Sequence, residues 1–411
     1  MKKAIIFLVT TLLFAPLLSR AQVLPFDSIK AIIEKQHPEL AMYDLRIKAY
    51  NAYAAGAKSW EAPQIGTGLY MTPYSFEKNM GAYMISAQQM ITNPAKLKAS
   101  YNYMQGMASV EVQNKSAAKN ELFAQAKMAY TEWLILKRKK AVLTESEDLM
   151  SYIIKVSEIR YPLEQEKLGN IYKAKAGLAE VQSMELMADN DITQQQIKLN
   201  TLMNRDRNIT FDIDTTYIIH DYEMTLIDTA TIAKTRSDLR AIDQEINVLT
   251  LKQRAEWSKR MPDFGIRYDN MFGFGSQPTQ FTIMGMITIP IAPWSSKMYK
   301  ANIAGINFEI ASSQKEKEAL LNDVSGMIQS LQAQIKSKKK QVDLYEKNII
   351  PALEKNYKVT MLAYEQNTED LFMVLDAWQA LKMAKLEYLD QLKELLLQQA
   401  EFEKLMENYE K

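Results

Sequence analysis

Two segments, Pro262-Asp-Phe-Gly-Ile-Arg-Tyr-Asp269 and Gln280-Phe-Thr-Ile-Met-Gly-Met-Ile-Thr-Ile289, alternate apolar residues with polar, small or flexible ones. In the first, Phe264, Ile266 and Tyr268 fall on one face, with Asp263, Gly265, Arg267 and Asp269 on the other. In the second, Phe281, Ile283, Gly285, Ile287 and Ile289 oppose Thr282, Met284, Met286 and Thr288. Period two with one apolar face marks a half-buried strand. An earlier pair reads alike: Ile65, Thr67, Leu69 and Met71 alternate with Gln64, Gly66, Gly68 and Tyr70, followed by the less regular Ala82 to Gln88. Each segment is near the roughly 9–11 residues that a tilted strand needs to cross a bilayer. Trp60, Trp257 and Trp294 stand at strand ends, where interfacial aromatic girdles are expected. The hairpin tips, Thr72–Asn79 and Gly273–Pro278, carry turn residues and would face the cell exterior. The plainer alternative is two soluble hairpins packed on a core. If the strands do span a membrane, four cannot close a barrel, since the smallest have about eight, and open edges in lipid are not permitted. Several copies must then share one barrel; at four strands per copy, two copies give eight and three give twelve.

Outside the strands the chain is poor in breakers. Of 411 residues only 13 are Gly and 12 Pro, about half the usual usage. From Pro94 to Pro162 the only breaker is Gly106, and after Pro351 there is none. The stretch 95–161 would extend on the order of 100 Å if wholly helical. Along it Leu122, Ala126, Ala129, Trp133 and Leu136 recur at threes and fours, the narrow stripe of a coiled-coil seam. The fold class expected is therefore mainly α with a smaller β part, membrane β if the strands span a bilayer.

A shift of 199 residues superposes the chain on itself. His37-Pro-Glu-Leu40 falls on Arg236-Ser-Asp-Leu239, Asp44 on Asp243, Ile47 on Ile246, Ser59 on Ser258, Pro63 on Pro262 and Gly66 on Gly265. The same register superposes Pro94 on Pro293 and Gly106 on Gly305. Sparse Pro and Gly residues kept in one ungapped register indicate a duplication. The organisation expected is a signal peptide over 1–21, a first repeat over 22–220 and a second over 221–411. Each repeat holds a helix, a strand pair (about 63–91 and 262–291) and a long helical pair.

The N-terminus reads as a secretory signal: Lys2 and Lys3, an apolar run from Ala4 to Leu18, then Ser19-Arg20-Ala21 before a cut at Gln22. The absence of Cys removes disulfides, thiolate nucleophiles, Cys-ligated zinc and an N-terminal lipidated cysteine. Fifty Lys+Arg balance 49 Asp+Glu, so there is no global attraction to nucleic acid. No Walker A, HExxH or GxSxG pattern occurs, and no pair of carboxylates is isolated in apolar surroundings. An enzyme, a cofactor and a resident metal are not expected. The pairs Met184/Met187 and Met284/Met286 offer thioethers suited to Cu(I), but packing is the commoner use of Met. The runs Lys137–Lys140 and Lys336–Lys340 read as solvated helix faces, a lysine-rich belt if several copies assemble.

The segment Tyr364-Glu-Gln-Asn-Thr-Glu-Asp-Leu-Phe-Met-Val-Leu-Asp-Ala377 resembles the periplasmic-tip turn of the TolC-like outer-membrane efflux factors. With the duplicated halves, two strand pairs and long helices, the resemblance covers essentially the whole mature chain. It implies a homotrimer whose helices form an α-barrel continuous with a twelve-stranded β-barrel, four strands per chain. It further implies an outer-membrane location extending into the periplasm, and the role of passive exit duct for an inner-membrane pump and a periplasmic adaptor. Metal ions lead the expected cargo, because the mature chain is short and no lipidation cysteine is present; small toxic compounds follow. A type I secretion duct and a periplasmic coiled-coil adaptor are the alternatives. By resemblance the tip turns are Asn367, where the family usually has Gly, and Gly169-Asn170 in the first half. Gate candidates are Tyr364 and Asp376, which match the family, and Glu369, which stands where a basic residue can occur. Met373 stands where a further Asp can occur. Asp263, Arg267 and Asp269 are the lumen-facing strand candidates.

Overall fold

The computed structural model describes residues 23–75, 79–222 and 228–407. The expected signal peptide and its cut before Gln22 lie outside the described residues, as does part of the first hairpin tip. The described residues form two compact units, one built around residues 39–119 and 228–326, the other around 23–38, 120–222 and 327–407.

The first unit holds the strands. Here α2 (Pro38–Gly56) leads to β2 (Gln64–Tyr70) and β3 (Ala82–Ile91), and the later half repeats the plan. There α5 (Thr229–Thr235) and α6 (Ser237–Ser258) precede β5 (Asp263–Gly273) and β6 (Gln280–Thr288). All four strands form one antiparallel sheet in the order β2-β3-β5-β6. The two hairpins are thus joined through β3 and β5, with Met84 opposite Met271 and Gln88 opposite Arg267. Strands β2 and β6 are left as the sheet's edges. The register sorts most side chains by polarity, with Thr67, Gln89 and Asn270 as exceptions on the apolar face. Ile65, Leu69, Ile85, Ile266, Ile283 and Ile287 share one face and are exposed. Asp263, Arg267 and Asp269 lie on the other. The expected alternation is therefore present in all four strands, including the less regular Ala82–Ile91. Trp60, Trp257 and Trp294 are all exposed beyond the strand ends.

Gly106 looks like a breaker in the sequence but does not interrupt its helix. It sits inside α3 (Pro94–Arg160), and a Cβ there would lie 2.8 Å from Leu251 Cδ1 and 3.2 Å from Val248 Cγ2 of α6. The missing side chain lets two helices approach, and its modest helix cost is offset by that packing.

Among the described residues of the second unit the regular structure is helical, apart from a two-residue parallel pairing of β1 (Val23–Leu24) with β4 (Asp212–Ile213). It contains α1 (Phe26–Gln36), the later part of α3, α4 (Leu168–Leu202), the end of α7 (Pro293–Leu344), α8 (Ile350–Glu365) and α9 (Leu371–Met406). The α3 stripe is buried as expected at Leu122, Ala126, Ala129 and Trp133. It is broader than a two-position seam, since Phe123, Ala124, Leu134 and Ile135 are buried too. Pro351 does not end its helix. A π-helical segment, Tyr345–Ile349, precedes it and absorbs the carbonyl that its ring would strike. The lysine runs are paired rather than merely solvated. Lys137 binds Asp212 at 2.7 Å, Lys139 binds Asp390 at 2.7 Å, and Lys338 binds Glu394 at 2.6 Å.

Candidate functional site

Two long helices in each half must reverse direction, and the two reversals meet. In the second half, α8 ends at Glu365 and Asn367 takes the left-handed conformation at φ 58°. Asn is among the few residues that visit this region readily. The Thr368 backbone N–H donates to the Ala363 carbonyl at 2.9 Å, closing the helix end. Asp370 then caps α9 by accepting from the Phe372 backbone N–H at 3.1 Å.

In the first half the reversal lies earlier than the sequence suggests. Pro162 stops α3, Tyr161–Leu163 form a single 3₁₀ turn, and Glu164 adopts the left-handed conformation at φ 60°. Lys167 is the extended N-cap of α4. Gly169 and Asn170, expected as the turn itself, are instead part of the first turn of α4. The proline dictates the break, and nothing at Gly169 needs a positive φ.

Between these turns Tyr364 is 2% exposed, so it is enclosed by its own chain. Its hydroxyl donates to Glu166 Oε2 at 3.0 Å and lies 3.4 Å from Ser157 Oγ. The Arg160 guanidinium stacks 4.5 Å over its ring, donates to the Tyr364 carbonyl at 2.8 Å and to the Glu365 carbonyl at 3.1 Å. One arginine therefore satisfies the orphan carbonyls at the end of α8 and holds the tyrosine by its π face. Burial is the leading cause that raises the Tyr364 pKa, so the phenol keeps its proton and remains a donor at neutral pH. Lys167 pairs with Asp370 at 2.9 Å, and Asn170 Nδ2 donates to Asp370 Oδ1 at 2.7 Å. A cavity of about 500 Å³ lies here, lined by Arg160, Glu166, Lys167, Tyr364, Glu369 and Asp370 among others.

Tyr364 and Glu369 thus share one cavity, whereas Asp376 is exposed on α9 and does not line it. Met373 is exposed as well. Ser157, Arg160, Glu166, Lys167 and Asp370 were not singled out by sequence. Pro162 just after a breaker-poor helix, and an Asp directly before the apolar Leu371-Phe372, are the signals that point to them.

The Lys167–Asp370 pairing has a defined pH window. Hydrogen bonding by Lys167 is the first cause holding the Asp370 carboxyl below its ordinary 3.8, and the same bond raises the Lys167 ammonium above its ordinary 10.5. A depressed acid contributes above its unfolded value and loses that contribution as pH falls through the folded one. A raised base contributes below its unfolded value and loses it as pH rises through the folded one. The pairing is expected to persist between those two ordinary values. Amide hydrogen exchange across residues 364–372 should stay level from pH 5 to 9, after correction for intrinsic rates, and Asp370→Asn should raise it throughout.

On the sheet, Asp263 accepts from the Asn93 backbone N–H at 2.9 Å and pairs with Lys96 at 2.5 Å, fixing the start of α3 beside β5. Arg267 Nε donates to Asp269 Oδ1 at 2.9 Å, and Asp269 is buried. All three candidates share the face opposite the apolar one, and each charge has a partner.

Residues 32–205 match the family model described as Outer membrane efflux protein. The fold is similar to solved outer-membrane channels. The channel OprN aligns over 93% of this chain and 89% of its own, at TM-score 0.75 and 11% identity. The outer membrane protein VceC from Vibrio cholerae aligns over 93% and 95%, at TM-score 0.73 and 15% identity. The open-state MtrE channel of Neisseria gonorrhoeae aligns over 93% and 88%, at TM-score 0.70 and 15% identity. No curated protein matches the sequence. The family match covers less than half of the chain, and the likeness to the solved channels shows that this chain shares their fold.

Proposed function

We propose that three copies of this chain close a twelve-stranded barrel, four strands from each. The paired helices would continue it as an α-barrel through the periplasm. The observation that carries the reading is the four-stranded sheet, with its two unpaired edges and one mostly apolar face. Open edges are not tolerated in lipid, and joining β6 of one copy to β2 of the next removes them all. The apolar face then meets lipid, and the face with Asp263, Arg267 and Asp269 lines water. The duplicated halves, 22–220 and 221–411, each supply one hairpin and one helical pair. The Tyr364–Glu166 and Lys167–Asp370 contacts tie the two helical hairpins of one chain together and would hold the tip narrow. Exposed Glu369 and Asp376, repeated threefold, would give that mouth a cation preference.

In this reading the trimer is a passive exit duct that receives substrates from an inner-membrane pump through a periplasmic adaptor. Metal ions are the first class of cargo in this reading, and small toxic compounds are the second. Deleting the gene should sensitise cells to zinc, cobalt or copper before organic drugs. Growth curves over graded metal and drug concentrations test it. Drug hypersensitivity with unchanged metal tolerance moves the protein to the drug class, and loss of a secreted protein alone moves it to type I secretion.

A further inference from the structure

The four strands carry five methionines, and all five lie on one face. The register puts Met84 directly opposite Met271, Met90 opposite Gly265, and Gly265 opposite Met286, with Met284 opposite Arg267. The opposite face carries the Ile, Leu, Phe and Tyr residues, with Thr67, Ala87, Gln89, Asn270 and Gly285 among them, and holds no methionine. If these side chains served only as apolar filling, they would belong on that face. They stand instead among Asp, Arg, Gln, Ser and Thr.

Gly265 makes the arrangement specific. A Cβ at this position would lie 2.5 Å from Met90 Sδ and 3.1 Å from Met286 Cε. The sulfur of one strand and the terminal methyl of the other therefore converge over a residue with no side chain, at the centre of a three-strand row. Met284 follows Met286 on the same face, two residues along. Toward the hairpin tips a second group continues the series: Met71, Met80 and Met271 line a cavity of about 220 Å³.

We infer that this methionine-bearing face binds soft monovalent cations, Ag(I) and Cu(I), with its principal site at Met90 and Met286 over Gly265 and Met284 two residues away on β6. The inference rests on the reading that this face lines the water-filled lumen. Thioethers are neutral, soft donors, and they select d¹⁰ monovalent ions over Mg²⁺, Ca²⁺ or Zn²⁺, which prefer oxygen, imidazole or thiolate. The nearby charges do not compete, since Asp263 is paired with Lys96 and Asp269 with Arg267. Several weak sites in series suit conduction, where binding must be favourable enough to admit an ion and loose enough to release it.

The test uses the full-length trimer in lipid nanodiscs, labelled with ¹³C at the methionine methyls and titrated with silver nitrate in chloride-free buffer. Met327, exposed on α7, is the reference for a lone thioether. The Met90, Met284 and Met286 methyls should shift together and saturate at Ag(I) concentrations at least about tenfold below those that move Met327. In the Met90→Leu, Met286→Leu double variant, close to volume-conserving, the Met284 response should weaken at least about tenfold at unchanged trimer yield. Strand methyls that respond no more strongly than Met327, that respond equally to zinc, or that are unaffected by the double variant would overturn the inference. A water-soluble gadolinium chelate and a lipid-borne spin label separate the two levels of the argument. Broadening of the Met90 and Met286 methyls by the lipid label would sink the lumen reading itself. Broadening by the chelate without a silver response would sink only the cation site.

Discussion

Ile266→Lys is expected to remove most of the protein from the outer membrane, whereas Thr282→Lys, the same added charge one strand away, should leave it there. Ile266 is exposed and shares its face with Phe264 and Tyr268. A lysine on the lipid side of a barrel strand near mid-depth costs roughly 2–4 kcal/mol. Three identical chains in one barrel incur it three times. Thr282 lies on the opposite face, directly across from Asp269. A lysine there meets water and a carboxylate. The amount of heat-modifiable trimer in isolated outer membranes is the readout. Equal yields of the two variants would reverse the assignment of faces.

The second large effect is expected at the tip. Tyr364→Ala removes a ring enclosed by Val374, Leu375 and Trp378 among others, together with the bond to Glu166 and the surface on which Arg160 stacks. Truncating a buried aromatic side chain typically costs about 3–5 kcal/mol, and here the loss falls on contacts that join the two hairpins. Single-channel conductance of Tyr364→Ala in planar bilayers should rise several-fold. Tyr364→Phe, which keeps the ring and loses only the hydroxyl contacts, should fall between the two. Glu369→Lys with Asp376→Lys should reduce or reverse cation preference, because both carboxylates are exposed near the reversal. Unchanged conductance and selectivity in every variant, at normal trimer yield, would leave these residues a structural role only.

The strands were legible because period two survives in a short window, and Asp263, Arg267 and Asp269 mark the face opposite the apolar one without any tertiary information. The long helices were legible from the lack of breakers, with two apparent breakers that break nothing. Gly106 does not break its helix, because its missing side chain serves the packing of α6. Pro351 does not break its own, because a π segment accommodates the ring. Periodicity cannot anticipate either, since both depend on what lies across the helix or one turn before. The tip was half legible. Asn367 declared its left-handed turn, while the first turn was placed at Gly169-Asn170 when Pro162 and Glu164 make it. The partners of Tyr364 are Ser157, Arg160 and Glu166, some two hundred residues away. Only the folded chain brings such groups together, so resemblance named the tyrosine and geometry named what it binds.

The central claim is that β2 and β6 pair between copies and that three copies close the ring. The chain has no cysteine, so an introduced pair reports without background. Gly68→Cys on β2 can be combined in turn with Thr282→Cys, Met284→Cys and Met286→Cys on β6, all on the face opposite the apolar one. A disulfide forms only where the Cβ atoms come within roughly 3.5–4.5 Å, so a short scan finds the register. After mild oxidation of intact outer membranes, non-reducing gels should show dimer and trimer bands for at least one pair. The ladder should end at three, because each closed ring has no edge left to offer. Monomer alone from every pair, in membranes that contain the protein, or a ladder that runs past three, would contradict the account.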